Sequence, residues 1–178
     1  MNNRFVFQTE RLILRELSPD DAAFAFELNS DPEVVRYTGD GPFNSVEEAR
    51  TFLENYSDYK RNGFGRWGVV LKSTGVLIGW CGLKRDIETG EVDLGYRFFR
   101  ACWNQGFATE AGKACLDNAP RFGIHEVIAR ADKANPASWK VMEKLGFSYV
   151  EDFEEDNATW VLYRISFSQE PSYLRMNP

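Results

Sequence analysis

The sequence lacks several features that define whole classes of protein. No stretch of its 178 residues approaches the roughly 18 consecutive apolar residues of a membrane-spanning helix, and the N-terminal segment MNNRFVFQTE has no apolar signal core. The three cysteines are odd in number and show no CxxC spacing. The sequence therefore predicts neither a disulfide framework nor a zinc or other metal site. These absences favour a cytoplasmic protein that does not act at a membrane.

Clustered basic charge is also missing. The formal net charge is −6, whereas nucleic-acid binding depends on grouped Lys and Arg side chains, so the charge argues against nucleic acid as the main partner. The GxxxxGK[ST] and GxGxxG patterns are absent as well, which excludes a P-loop and the dinucleotide-binding fingerprint. An acidic chain is compatible with a cationic substrate such as an amine.

The length and composition predict one globular domain. A chain of 178 residues, 43% hydrophobic and 27% charged, is long enough for one substantial core and too short for two ordinary domains. We find no repeat, no low-complexity tract and no linker. We expect a single domain over residues 1–168 and an irregular tail, with two prolines, over residues 169–178.

The order of the predicted elements indicates the fold class. Turn residues and apolar spacing predict a first strand over 11–16, short helices starting near Ser18 and Asp31, and one longer helix from Ser45 to Gly63. An antiparallel three-strand meander follows over 67–71, 76–83 and 91–98. The remaining elements are a helix over 106–122, a strand over 127–131, a helix over 136–145, and strands over 148–153 and 160–166. This order predicts a mixed α/β (α+β) sandwich around one sheet.

The segment 91–111 contains the most informative pattern. Residues 91–98 alternate between an apolar face and a polar face that carries Glu91, Asp93 and Arg97. Gly95 lies on the polar face, where a glycine often marks a bulge or a close approach to the backbone. The helix that follows begins at Gly106, and small residues at its start leave backbone N–H groups open for a phosphate. An ordinary glycine-containing helix start is the alternative interpretation.

These motifs resemble the GNAT superfamily of N-acetyltransferases. WNQGFA at 103–108 is similar to the coenzyme A pyrophosphate loop of that family, usually written Q/R-x-x-G-x-G/A, with Trp103 in place of the leading residue. The other matching segments are TERLILR at 9–15, DPEVVRY at 31–37, IGWCGL at 78–83, LGY at 94–96, NPAS at 135–138 and EKLGF at 143–147. Their order is typical of the branch that contains the bacterial ribosomal-protein N-terminal (Rim-type) acetyltransferases.

The resemblance implies a fold, a co-substrate and a binding site. It implies the GNAT acyl-CoA N-acyltransferase fold, a central, mostly antiparallel twisted sheet flanked by helices, and acetyl-CoA as co-substrate without a metal. Asn135 and Ser138 would face the pantetheine arm and the thioester, although Asn135 is also an ordinary helix N-cap. The backbone near Tyr96, Arg97 and Phe98 would hold the acetyl carbonyl. The pyrophosphate loop comprises Trp103, Gln105, Gly106, Phe107, Ala108 and Thr109.

The candidate catalytic groups are Ser138, Glu91 and Asp93. Many GNAT enzymes carry a tyrosine acid just before the EKLGF segment, where this chain has Met142, so Ser138 is our substitute, as is thought for the ribosomal-protein branch. Glu91 and Asp93 are candidate bases, although a solvated polar face is the alternative. We expect binding and orientation to dominate, because they contribute more than acid–base groups do. A nucleophilic role for Cys102 and a proton-shuttling role for His125 are disfavoured.

Three functions remain open at this point. The first is acetylation of a protein or peptide α-amine, which needs little help from a base because its pKa lies near 7.7–8.0. The second is acetylation of a small amine such as a polyamine, an amino acid or an aminoglycoside. The third is an acyl-CoA-binding regulator without catalysis. The sequence is compatible with a monomer or a homodimer.

Overall fold

The computed structural model of the protein describes residues 5–39 and 41–167, and for Phe5 the backbone only. The tail predicted over residues 169–178 lies outside the described residues. Within the described ranges, no helix combines the length and apolar character needed to cross a bilayer.

Eight strands form one sheet in the order β1-β2-β3-β4-β5-β6-β8-β7, with only β5 and β6 parallel among the described pairs. The predicted mixed α/β arrangement with a mostly antiparallel sheet is confirmed, and β1 is an additional strand that the sequence did not predict. The strands are β1 (Phe5–Gln8), β2 (Leu12–Arg15), β3 (Arg66–Leu71), β4 (Val76–Arg85), β5 (Val92–Phe98), β6 (Glu126–Asp132), β7 (Ser148–Glu155) and β8 (Ala158–Ser166).

Helices flank both faces of the sheet. Phe107, Ala111 and Cys115 of the helix over 107–118 belong to the main hydrophobic core. The helices over 22–30 and 46–55 form a separate small cluster around Ala25 and Leu53. The helices are α1 (Ala22–Ser30), α2 (Pro32–Val35), α3 (Val46–Asn55), α4 (Asp58–Asn62), α5 (Phe107–Asn118) and α6 (Pro136–Lys144), with 3-10 turns at Pro19–Asp21, Arg100–Cys102 and Ala119–Phe122.

The single long helix predicted from Ser45 to Gly63 is wrong, because the structure divides it into α3 and α4. Tyr56 is extended at the break (ψ 104°), and its hydroxyl accepts a hydrogen bond from Arg66 N at 2.7 Å. The Tyr59 hydroxyl accepts one from Leu17 N at 3.2 Å. These tertiary bonds connect the break to the sheet, and they override a local pattern that favours a continuous helix.

The parallel pair β5–β6 opens a gap in the sheet. The two strands are in register only at Asp93 and Ile128, and no further residue of β5 or β6 pairs with the other within the described sheet. Both strands end at the same side of the sheet, and α5 and α6 begin just beyond those ends. The gap therefore opens toward two helix N-termini.

Candidate active site

The start of α5 has the backbone conformation of an anion site. Gly106 is the N-cap and lies in the left-handed region (φ 80°), which glycine adopts without strain. The first helical bond beyond it runs from Glu110 N to Gly106 O at 3.0 Å. The amides of residues 107–109 precede that bond, so they are the open N–H groups of the first turn. This turn fits the pyrophosphate of coenzyme A, because open amides and the helix dipole both favour an anion.

Side chains of the preceding loop hold this turn in place. The Trp103 indole nitrogen donates to Phe98 O at 2.8 Å, which ties the loop to the end of β5. The Gln105 amide donates to Ala101 O at 2.7 Å, so this side chain supports the loop. Phe107 is buried, and Ala108 and Thr109 are half-buried, so what the turn presents is mainly backbone.

Arg11 supports the same turn, and the sequence interpretation missed it. Its guanidinium donates to Gln105 O at 3.0 Å, pairs with Glu110 at 2.6 Å, and lies 4.5 Å from the centroid of the Phe107 ring. Although burial opposes the shift, bonds from Thr9 and Arg11 hold the pKa of Glu110 below its ordinary value. Arg11 thus brings a positive charge to the turn. In the sequence, only the family-like TERLILR segment at 9–15, which contains Arg11, drew attention to this part of the chain.

A pair of hydroxyl groups connects β5 with α6. Tyr96 of β5 donates to Ser138 O at 2.8 Å, and its hydroxyl lies 3.2 Å from Ser138 Oγ. Asn135 caps α6, its side-chain oxygen accepting from Ser138 N at 3.3 Å. Burial raises the pKa of Tyr96 above its ordinary value. Tyr96 and Ser138 are thus protonated groups at the place where the thioester is expected.

The alternation of β5 turns selected amides toward the gap. Phe99 N donates to Ile78 O of β4 at 3.0 Å. Because backbone N–H groups alternate along a strand, those of Arg97 and Gly95 also point toward β4. The amides of Tyr96 and Phe98 therefore point to the opposite edge, toward the gap. These two amides belong to the stretch for which the family resemblance predicts contact with the acetyl carbonyl.

The position just before the EKLGF segment belongs to the core in this chain. Met142 is only 1% exposed and is part of the main hydrophobic cluster. Met142 itself offers no hydroxyl. Tyr96 and Ser138 are the hydroxyls that β5 and α6 bring together.

A cleft of about 610 Å³ lies on the other face of β4 and β5, against α1 and α3. Glu91, Asp93 and Arg97, which the alternation predicted to share one polar face, line it together. The Arg97 guanidinium donates to Asn29 and lies 5.4 Å from the centroid of the Trp80 ring, so this side chain faces the cleft and not the phosphate turn. The sheet therefore separates the cleft from α5 and α6, and Asp93 and Ile128, which flank the gap, both line the cleft.

Asp93 is bound to a half-buried arginine. Its carboxylate pairs with the Arg66 guanidinium, which also donates to Gly82 O at 2.5 Å. A Cβ on Gly95 would lie 2.7 Å from the same guanidinium carbon, so the close approach predicted at Gly95 is made by Arg66. The β4–β5 register continues unbroken through Gly95, and the alternative of a bulge is therefore wrong for this pairing.

We expect Asp93→Asn to lower the free energy of unfolding by about 1–3 kcal/mol. Removing one partner leaves the Arg66 charge poorly compensated, since that side chain is only 18% exposed, although the partial exposure of Asp93 reduces the penalty. Asp117→Asn is the matched control, because Asp117 forms an exposed pair with Lys113. Urea denaturation of both variants measures the difference. Equal losses for the two would contradict a structural role for the Asp93 pair.

Glu91 is also bound to arginines. Its carboxylate lies 3.3 Å from Arg130 and 3.7 Å from Arg164. A base at either Glu91 or Asp93 would have to compete with these contacts.

Neither disfavoured candidate takes part in the hydrogen bonds that join Tyr96 and Ser138. His125 is exposed just before β6 and takes part in the sheet through its carbonyl oxygen, which accepts from Phe167 N at 2.8 Å. Cys102 is half-buried in a 3-10 turn, and burial raises the pKa of its thiol, which disfavours the thiolate that a nucleophile needs.

Comparison with known proteins agrees with this geometry. Residues 11–148 match the family described as an acetyltransferase (GNAT) domain. The "uncharacterized N-acetyltransferase p20" of Bacillus licheniformis is 32% identical over 153 residues, which cover 83% of this chain and 86% of that protein.

Solved structures show the same fold with different acceptors. The ribosomal-protein-S5-alanine acetyltransferase of Vibrio fischeri is 18% identical with a TM-score of 0.78, over 93% of this chain and 98% of that one. The spermidine N-acetyltransferase of Vibrio cholerae, solved with CoA and spermine, is 19% identical with a TM-score of 0.77, over 89% and 96%. At these identities the likeness concerns the fold alone, so the ribosomal-protein branch stays a prediction.

Proposed function

Since the chain belongs to the GNAT acetyltransferase family and is therefore an acetyl-CoA-dependent N-acetyltransferase, we propose that its acceptor is the α-amine of a protein or peptide, which attacks the thioester directly. Acetyl-CoA supplies an acetyl group on a thioester whose thiolate departs as the new N–C bond forms. The first turn of α5 would bind the pyrophosphate, and the gap between β5 and β6 would bind the pantetheine arm.

The residues around the gap would then divide the work. The Tyr96 or Phe98 amide stabilises the negative charge that develops on the acetyl oxygen. Ser138, positioned by Asn135 and bonded to Tyr96, holds a proton near the departing sulfur. A thiolate with a pKa near 8.5 needs only modest help of this kind.

The strongest support for an α-amine is that the two candidate bases, Glu91 and Asp93, are both bound to arginines. A lysine or polyamine nitrogen titrates near 10.4, and making it neutral at pH 7 costs roughly 4 kcal/mol, which calls for a base or for burial. An α-amine titrates near 7.7–8.0 and needs neither. The cleft volume, within the usual 300–1,000 Å³ of small-ligand sites, favours a free small amine as the second candidate.

We expect Glu91→Gln to lower kcat/KM with an N-terminal peptide at pH 8 by less than about 10-fold, because loss of a true general base typically costs 10²–10⁴. Glu126→Gln is the matched control, since Glu126 pairs with the same Arg164 at 3.1 Å but does not line the cleft. Both variants should be assayed with the peptide and with spermidine over pH 6–9. A loss above 100-fold in Glu91→Gln alone, or wild-type activity on spermidine only, would contradict the α-amine proposal.

A further inference from the structure

The charges of the cleft are unlike those of the whole chain. The chain carries a net charge of −6, but the described residues that line the cleft include four cationic and three acidic side chains. The cationic ones are Arg66, Lys84, Arg97 and Arg130, and the acidic ones are Asp86, Glu91 and Asp93. Local charge, not net charge, acts on a bound acceptor, because opposite and like charges matter within a few ångströms.

Each of these acidic side chains already has partners. Asp93 and Glu91 are bound to arginines, as described above. Asp86 accepts hydrogen bonds from the backbone nitrogens of Glu88 and Thr89, both at 2.8 Å, and these bonds lower its pKa. At Glu91 and Asp93, a polyamine would have to displace these arginines to bind its additional ammonium groups. The cleft is therefore a poor site for a polycation.

One cation of the cleft is available for a ligand. Lys84 is exposed and lies opposite Asp93 in the β4–β5 register, and among the described residues its ammonium makes no hydrogen bond or ion pair. Arg130 lines the same cleft and is 45% exposed. An anionic group on the acceptor would find a charged donor at Lys84.

The wall facing these charges is aromatic. Phe24, Phe43, Phe52 and Tyr56 line it, with ring centroids 5.6 Å apart for Phe43 and Phe52 and 6.1 Å for Phe52 and Tyr56. Phe52 is 52% exposed, which leaves a large apolar surface for an acceptor to cover. Small-molecule sites are typically built in this way, mostly apolar with a few placed polar groups.

We infer, on the basis of the proposed function, that the acceptor is a primary α-amine carrying both an aromatic or large apolar side chain and a nearby carboxylate. The carboxylate binds the Lys84 ammonium, and the side chain packs on the wall at Phe52. A free amino acid and a peptide with an acidic second residue share this chemistry.

The test compares acceptors with and without a carboxylate. Coenzyme A release should be measured with phenylalanine and its amide, with C-terminally amidated phenylalanyl-aspartate and phenylalanyl-asparagine, and with spermidine. We expect kcat/KM at least about 10-fold higher for the acidic member of at least one pair, since a hydrogen bond to a charged group contributes on this scale. The pair that shows the preference identifies the source as a free amino acid or a peptide.

Variants then assign the preference to Lys84. Lys84→Gln should raise KM for the acidic acceptor about 10-fold and leave the neutral one within about 2-fold. Lys113→Gln, on α5 and paired with Asp117, should change neither. Three results would overturn this inference: equal rates within both pairs, a preference for spermidine, or an unchanged preference in Lys84→Gln. None of these results would contradict amine acetylation. Acetyl-CoA binding without turnover on any of these amines would overturn the proposed function as well.

Discussion

Gly106→Val is expected to raise the dissociation constant for acetyl-CoA at least about 100-fold, which corresponds to about 2.7 kcal/mol. Gly106 has φ 80°, and a β-branched residue in that region is strongly disfavoured. A Cβ there would meet Arg11 at 3.5 Å, an ordinary contact, so the loss comes from the backbone and not from crowding inside the protein. The turn would change its dihedral angles, and its amides would no longer converge on a pyrophosphate.

Gly123→Val provides the control for backbone strain. Gly123 has φ 70°, follows the 3-10 turn at the other end of α5, and has no atom within 4 Å of a built Cβ. Both variants should lose similar thermal stability, but only Gly106→Val should lose affinity in a calorimetric titration. Wild-type affinity in folded Gly106→Val would show that the pyrophosphate binds elsewhere.

Ser138→Ala should lower kcat by roughly 10- to 1000-fold with little change in acetyl-CoA affinity. The hydroxyl contacts Tyr96 and not its own helix, and Asn135 still caps α6 in the variant, so the fold should be preserved. Ser148→Ala, at the exposed first residue of β7, is the control.

Tyr96→Phe tests whether the two hydroxyls act together. If they share one proton-holding role, the double variant should lose less activity than the two single losses multiplied, because contacting residues are not additive. Wild-type turnover in Ser138→Ala would instead mean that water or the acceptor supplies the proton.

The sequence was sufficient to predict those features of the fold that depend on neighbouring residues along the chain. The alternation over 91–98 predicted correctly which side chains of this segment share the apolar, core-facing side and which share the polar side, and the polar side lines the cleft. The small residues after Gly106 predicted the start of α5 to within one residue. Asn135 was likewise predicted as an N-cap, since its side chain and the Pro after it form a local pattern.

What the sequence did not reveal depends on contacts between distant segments. Arg66 and Asp93 are 27 positions apart, and Arg11 and Glu110 are 99 apart, so neither pair leaves a periodic signal. The same holds for the hydrogen bond from Arg66 that helps to separate α3 from α4. The net charge of −6 was also a poor guide to the acceptor site, because the cleft collects arginines from several elements.

The most direct test of the central claim is mass spectrometry of a peptide that contains one free α-amine and one lysine, incubated with the protein and acetyl-CoA near pH 8. We predict one added acetyl group, located on the N-terminal nitrogen, with release of an equal amount of coenzyme A. Acetylation of the lysine alone would contradict an α-amine acceptor. If the protein binds acetyl-CoA but acetylates neither this peptide nor any other amine offered, the result would contradict its N-acetyltransferase activity.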